Sequence, residues 1–89
     1  MTALHIRITP KDFEKWKKAH FDAEPLRAEY GITEGPFYRE EANPGVALVT
    51  LYVEDLDRAM GWFSSEEFKA VSEAGDYPDR EFWVSEKRD

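Results

Sequence analysis

Cysteine is missing from this sequence altogether. Its absence excludes disulfide stapling and thiolate chemistry, and leaves the redox compartment open. Positive charge is scarce as well. Twelve Lys and Arg against nineteen Asp and Glu leave a formal charge of -7, a field that repels phosphate backbones and anionic lipid. Nucleic acid is therefore not an expected partner. No apolar run approaches the roughly 20 residues needed to span a bilayer, and the amino terminus shows no signal-peptide pattern. No membrane association is expected, and the cytoplasm is the expected location. Histidine is limited to His5 and His20, which form no helical ligand pair. Glu40 and Glu41 are adjacent, so on a strand they point to opposite faces, and no metal site is expected. A glycine-rich phosphate loop and a Gly-x-Ser-x-Gly turn are also lacking. Without motifs for a flavin, a nucleotide or a metal, the expectation is a protein that uses no cofactor.

What is present is enough for a folded core. Hydrophobic residues make up 42% and aromatic residues 15% of 89 positions, which argues against disorder. The length suits a single domain over residues 1–89, close to the size at which one core is only just sufficient. The longest apolar run, Val46 to Val53, is rich in β-branched and aromatic side chains. Asn43-Pro44-Gly45 precedes it and Glu54-Asp55 follows, so a central strand is expected. Ala47, Val49, Leu51 and Val53 would line one face, and Val46, Leu48, Thr50 and Tyr52 the other. Both faces are largely apolar, yet the chain has helix enough to cover only one. A second copy of the chain is expected to cover the other.

Strict alternation makes Leu4 to Thr9 a first strand. Thr9 as N-cap and Pro10 at the first helical position predict a helix carrying Phe13, Trp16, His20 and Ala23 on one face. Pro25 predicts a break, and Gly31 a C-terminal cap for the resumed segment. A second strand is predicted over Gly35 to Glu41, with Pro36 marking an edge or bulge, and a hairpin leads from it into the central strand. Asp55 predicts the N-cap of a second helix bearing Leu56, Ala59, Met60 and Phe63, with Trp62 off the stripe and partly exposed. Ser64 to Glu67 fits a capping box that would restart the helix through Phe68, Val71 and Ala74 until Gly75. A turn over residues 76 to 79 and a last strand over Glu81 to Ser85 follow, before a charged tail. The predicted order is β-α-β-β-α-β, an α+β ferredoxin-like arrangement with a four-stranded antiparallel sheet and its helices on one face.

The chain resembles the dimeric α+β barrel superfamily, in particular small stand-alone members related to antibiotic biosynthesis monooxygenases and cyclases. The residues that carry the likeness are Phe13-x-x-Trp16, Arg27 through Gly31-Ile32, Arg39 into Asn43-Pro44, and Val53-x-Asp55-Leu56-x-Arg58-Ala59-x-x-x-Phe63. Ser65 through Phe68 and Ala74-Gly75 extend it. The resemblance implies two sheets packed face to face in a homodimer. It also implies activities ranging from oxygenation without a cofactor to polyketide cyclisation, isomerisation and haem degradation, among which fold alone does not choose. The haem-degrading branch carries an axial histidine on the second helix, and this chain has none there.

The candidate catalytic residues are His20, His5, Tyr38 and Tyr52. A neutral imidazole takes a proton from an acidic phenol or from a carbon beside a carbonyl. His20 shares the sheet-facing side of the first helix with Trp16, whereas His5 lies on the mixed face of the first strand. Some cyclases of the resembled superfamily use a first-strand histidine, although their second one has no counterpart in residues 76–89. Tyr38 and Tyr52 would donate protons. Arg7 and Arg39 would hold an anionic substrate or steady a developing enolate, and Trp16 and Trp83 would line a pocket for a planar substrate. The competing reading makes the histidines ordinary hydrogen-bonding groups, the aromatics packing, and the arginines cross-strand ion pairs. The expected function is accordingly a cofactor-independent enzyme acting on a small aromatic or polyketide-like ligand. The alternative is a non-catalytic dimeric binding or structural module.

Overall fold

The computed structural model describes residues 2–75 and 79–86. Strand β1 (Thr2–Thr9) is followed by helices α1 (Phe13–Asp22) and α2 (Glu24–Ala28), strands β2 (Ile32–Arg39) and β3 (Ala47–Val53), helices α3 (Leu56–Phe63) and α4 (Glu66–Ala74), and strand β4 (Asp79–Glu86). The strands form one antiparallel sheet in the order β2-β3-β1-β4. The longest apolar run thus occupies an interior strand, as its composition demands, and the topology is the ferredoxin-like one.

Register decides which side chains are covered. Leu4, Ile6 and Ile8 stand opposite Leu51, Val49 and Ala47, and all six are buried in one cluster with Trp16, Ala23, Ile32, Val53, Ala59 and Trp62. Among the described residues no helix covers the reverse face of the same strands. There Leu48, Tyr52, Trp83 and Tyr38 retain 37%, 37%, 49% and 64% of their surface.

Several element boundaries differ from expectation for local reasons. Thr9 completes β1, and the carboxylate of Asp12, not Thr9, caps α1 by accepting from the Lys15 N–H. Strand β2 begins three residues early because Ile32 and Thr33 pair with Val53 and Tyr52. Ser65 caps α4 by accepting from the Phe68 N–H, so the third helical position holds a phenylalanine and the reciprocal acid of a capping box is absent. Trp62 is 1% exposed. Its neighbours Tyr30 and Phe68, at ring centroids 5.7 and 5.6 Å away, close over it, which a single-helix stripe does not foresee. The break at Pro25, the cap at Asp55 and the termination at Gly75 all stand where the sequence puts them. Helix α2 ends at Ala28 with Glu29 as its C-cap, so the expected cap at Gly31 is displaced, and Gly31 follows two residues later at a φ of +72°, a conformation that glycine adopts without the penalty a Cβ brings. The turn expected over residues 76 to 79 and the charged tail fall largely outside the described residues.

Candidate functional site

A bulge places an acid beneath the helices. Glu34 pairs with Leu51 and Phe37 with Val49, so three steps along β2 match two along β3. Side chains alternate along a strand, and an uninterrupted β2 would turn Glu34 and Phe37 to opposite faces. The extra residue in Gly35-Pro36 brings both to the helix-covered side. Proline has no N–H to lose at a bulge. Gly35 is required there, since a Cβ would come within 2.8 Å of the Thr50 carbonyl oxygen and 2.9 Å of the Tyr52 ring.

Helix α1 supplies the partner. Trp16 and His20 lie one helical turn apart, with ring centroids 5.1 Å apart and planes 23° from parallel, and Phe37 stacks on Trp16. This aromatic packing fixes the imidazole with its Nε2 at 3.4 Å from Glu34 Oε2. Arg27, on α2 and 3% exposed, donates from Nη2 to the other carboxylate oxygen. The approach of His20 to Glu34 falls short of a hydrogen bond. His20 Nε2, Glu34 Oε2 and Arg27 Nε therefore have no hydrogen-bond partner among the described residues. Burial pushes the Glu34 pKa up, but His20 and Arg27 outweigh it and hold the carboxyl below its ordinary 4.5.

His20 and Arg27 border a cavity between helices and sheet, with an apolar wall that includes Ile6, Leu51, Trp16 and Trp62. Its volume is about 50 Å³, room for a few atoms and well short of the ~300 Å³ of an ordinary ligand pocket. An open groove of about 540 Å³ lies outside it along the α3–α4 junction. The two spaces share Phe63, Phe68, Ser72 and Arg80. Arg80 stands opposite Ile8 on the covered side of β4. Its Nη2 donates to Ser72 Oγ at 3.3 Å, and its guanidinium lies 4.9 Å from the centre of the Phe68 ring. Burial pushes its pKa down, though an arginine remains a cation at any physiological pH.

The sheet divides the residues expected from sequence into two groups. His20 and Trp16 border the cavity. His5, Arg7, Tyr38, Tyr52 and Trp83 stand on the uncovered face. His5 bridges two hydroxyls, Thr50 Oγ1 at 3.2 Å and Ser85 Oγ at 2.7 Å. Arg7 pairs across strands with Glu40 at 2.9 Å and Glu81 at 3.1 Å. Arg39 belongs to neither group: its Nε donates to the Pro44 carbonyl, and its guanidinium lies 4.0 Å from the Phe13 ring centre. Arg27, Glu34, Ser72 and Arg80 are site residues that sequence reasoning misses. Their signals lie in Gly35-Pro36, which rephases β2, and in Arg80-x-Phe82, which shares one face by simple alternation. Among the described residues no cluster of three or more His, Cys, Asp or Glu side chains is arranged to hold a metal ion, and no helix is long and apolar enough to cross a membrane.

No family model matches the chain, and no curated protein matches it in sequence. Solved structures do. SnoaB, a cofactor-independent oxygenase from Streptomyces nogalater crystallised as a point mutant, superposes with a TM-score of 0.80 at 13% identity, over 99% of this chain and 93% of that one. A Bordetella bronchiseptica protein described as a candidate antibiotic biosynthesis monooxygenase gives 0.80 at 16% identity, over 98% and 97%. A third structure, of an antibiotic biosynthesis monooxygenase, gives 0.77 at 8% identity over the whole of both chains. This chain shares the fold of these three structures over 98% or more of its length.

Proposed function

We propose that the chain is a single-domain, cofactor-independent enzyme of the oxygenase or cyclase type. It acts, as a cytoplasmic homodimer, on a small aromatic or polyketide-like substrate held between helices and sheet. The observation that carries this reading is the His20 imidazole, buried to 8% exposure, backed by the Glu34 carboxylate and open to the cavity. With the Nε2 proton directed at Glu34, the lone pair resides on Nδ1, and the carboxylate behind the ring holds the imidazole in that tautomer. The base removes a proton from a phenol or from a carbon beside a carbonyl. The resulting anion is either oxidised directly by molecular oxygen or attacks a second carbonyl of the same molecule. Arg27 lies within the same wall to balance the charge. Because the cavity is about 50 Å³, only the reacting end of the substrate enters it. The remainder occupies the outer groove, with Phe63 and Phe68 turning aside to admit a ring.

Oxygen uptake in the presence of anthrone, an aromatic whose CH₂ is acidified by a carbonyl, tests the reading. Turnover that falls about a hundredfold in His20→Gln, with the fold intact, supports it. Equal rates in the two proteins reject His20 as the base.

The small cavity favours one other reading, a dimeric module with a packed interior and no chemistry. Failure of anthrone and of related phenols and 1,3-diketones to be consumed, or to alter tryptophan fluorescence, would select it.

A further inference from the structure

The junction between cavity and groove holds a cation that no carboxylate among the described residues contacts. Twelve basic side chains face nineteen acidic ones. Arg7, Lys18, Arg27 and Arg58 each lie within ion-pair distance of a carboxylate. Arg80, which is only partly exposed, is in contact with no carboxylate among the described residues. Its contacts are the Ser72 hydroxyl and the face of Phe68, and burial is the single cause that perturbs it. A half-buried guanidinium is costly to desolvate without a counter-charge. In a chain with acids to spare, Glu66 lines the same groove but no carboxylate among the described residues contacts Arg80, which leaves a counter-charge in contact with it to be brought by a ligand.

The local chemistry specifies that ligand. A guanidinium offers five N–H donors in a planar fork matched to a carboxylate, and only one is engaged by Ser72. Ser72 Oγ accepts that bond, and its own proton meets no acceptor among the described residues. Ser72 is buried to 6% exposure on α4, which fixes it relative to Arg80 across the junction. Phe63 and Phe68 flank the pair with ring surface. Phe68 already carries the guanidinium over its face, and Phe63 meets Phe68 and Phe82 edge-on at 5.2 and 5.4 Å. An anion seated on Arg80 and Ser72 therefore has aromatic walls beside it.

We infer that Arg80 and Ser72 form a carboxylate-recognition site at the pocket mouth, so that the ligand of this protein is an aromatic carboxylic acid. The acid group stays at the junction while the rest of the molecule extends into the cavity or the groove. The inference rests on the cavity and groove being a ligand site, as proposed above, and not on any turnover there.

Benzoate and benzamide, which share a ring and differ in charge, are titrated into the full-length protein by calorimetry. The wild type is expected to bind benzoate at least about tenfold more tightly, the scale of one charge-assisted hydrogen-bond pair. Arg80→Gln is expected to bind the two alike, and Arg80→Lys to keep part of the preference. Circular dichroism and thermal melting establish that each variant is folded. Equal affinity of wild type for the two compounds, or a preference that survives in Arg80→Gln, overturns the carboxylate site while leaving the proposed enzyme standing. Absence of binding by either compound overturns both the site and the pocket it depends on. A benzoate preference governed by Arg80, together with anthrone oxidation indifferent to His20, upholds this inference and removes the catalytic reading.

Discussion

Glu34 and Phe37 lie three residues apart on β2 and yet present their side chains to the same face of the sheet, opposite Leu51 and Val49. Two structural consequences follow from that one rephasing. A carboxylate is delivered under the helices to meet His20 and Arg27, and an aromatic ring is delivered to stack on Trp16.

The bulge itself is the first target. Gly35→Ala places a methyl 2.8 Å from the Thr50 carbonyl oxygen, which is backbone and cannot swing away. Urea unfolding is expected to show a loss of about 1 to 3 kcal/mol, the usual range for forcing an extra carbon into a packed site. A neutral result would mean that β2 slides to a plain register.

Neutralising the buried acid is the second. Glu34→Gln leaves the Arg27 guanidinium, at 4% side-chain exposure, without its counter-ion. A cost of about 3 kcal/mol near neutral pH is expected, the lower end for breaking a buried pair. The effect is pH-dependent with a defined sign. Because the folded carboxyl is held below 4.5, its contribution is complete above that value and is lost as pH falls through the lowered one. The gap between wild type and Glu34→Gln in melting temperature should therefore narrow on acidification, and a gap that widens contradicts the assignment.

The bare sheet face gives the third. Leu48 and Tyr52 lie on the interior strand β3, with Tyr38 on one edge strand, β2, and Trp83 on the other, β4, all partly exposed. Sedimentation at micromolar concentration is expected to find a dimer for wild type and a folded monomer for Leu48→Glu, since a charge there must be desolvated to stay associated. A wild type that sediments as a monomer would remove the dimer from the proposal.

Helix capping gives the fourth. Ser65→Ala removes the acceptor for the Phe68 N–H and is expected to cost about 1 kcal/mol. Amide exchange should quicken through α4 and remain unchanged in α3, which has its own cap at Asp55.

Much of this fold is legible in the sequence because its signals are local. The β-branched run of β3, the cap at Asp55, the break at Pro25 and the glycine at position 31 each act through their own backbone. The candidate site is less legible because it depends on phase. Pro36 marks a bulge, but the consequence for Glu34 two positions earlier emerges only when β2 is laid against β3. Trp62 escapes a sequence reading for a related reason: a helix of eight residues is covered by Tyr30 and Phe68 from other elements as well as by the sheet beneath it. Charged residues such as Arg27 and Arg80 are ordinarily read as solvated, and only the assembled layers reveal that the first is enclosed and the second stands at a pocket mouth.

The interruption at Ser64-Ser65 gives the mouth its mechanics. Phe63 ends one helix and Phe68 belongs to the next, each helix anchored by its own N-terminal side chain. The two rings are thus doorposts hung on separate frames. A shift of the second frame would carry Phe68 off the edge of the Trp62 indole while Phe63 and the indole, which share the first frame, kept their places.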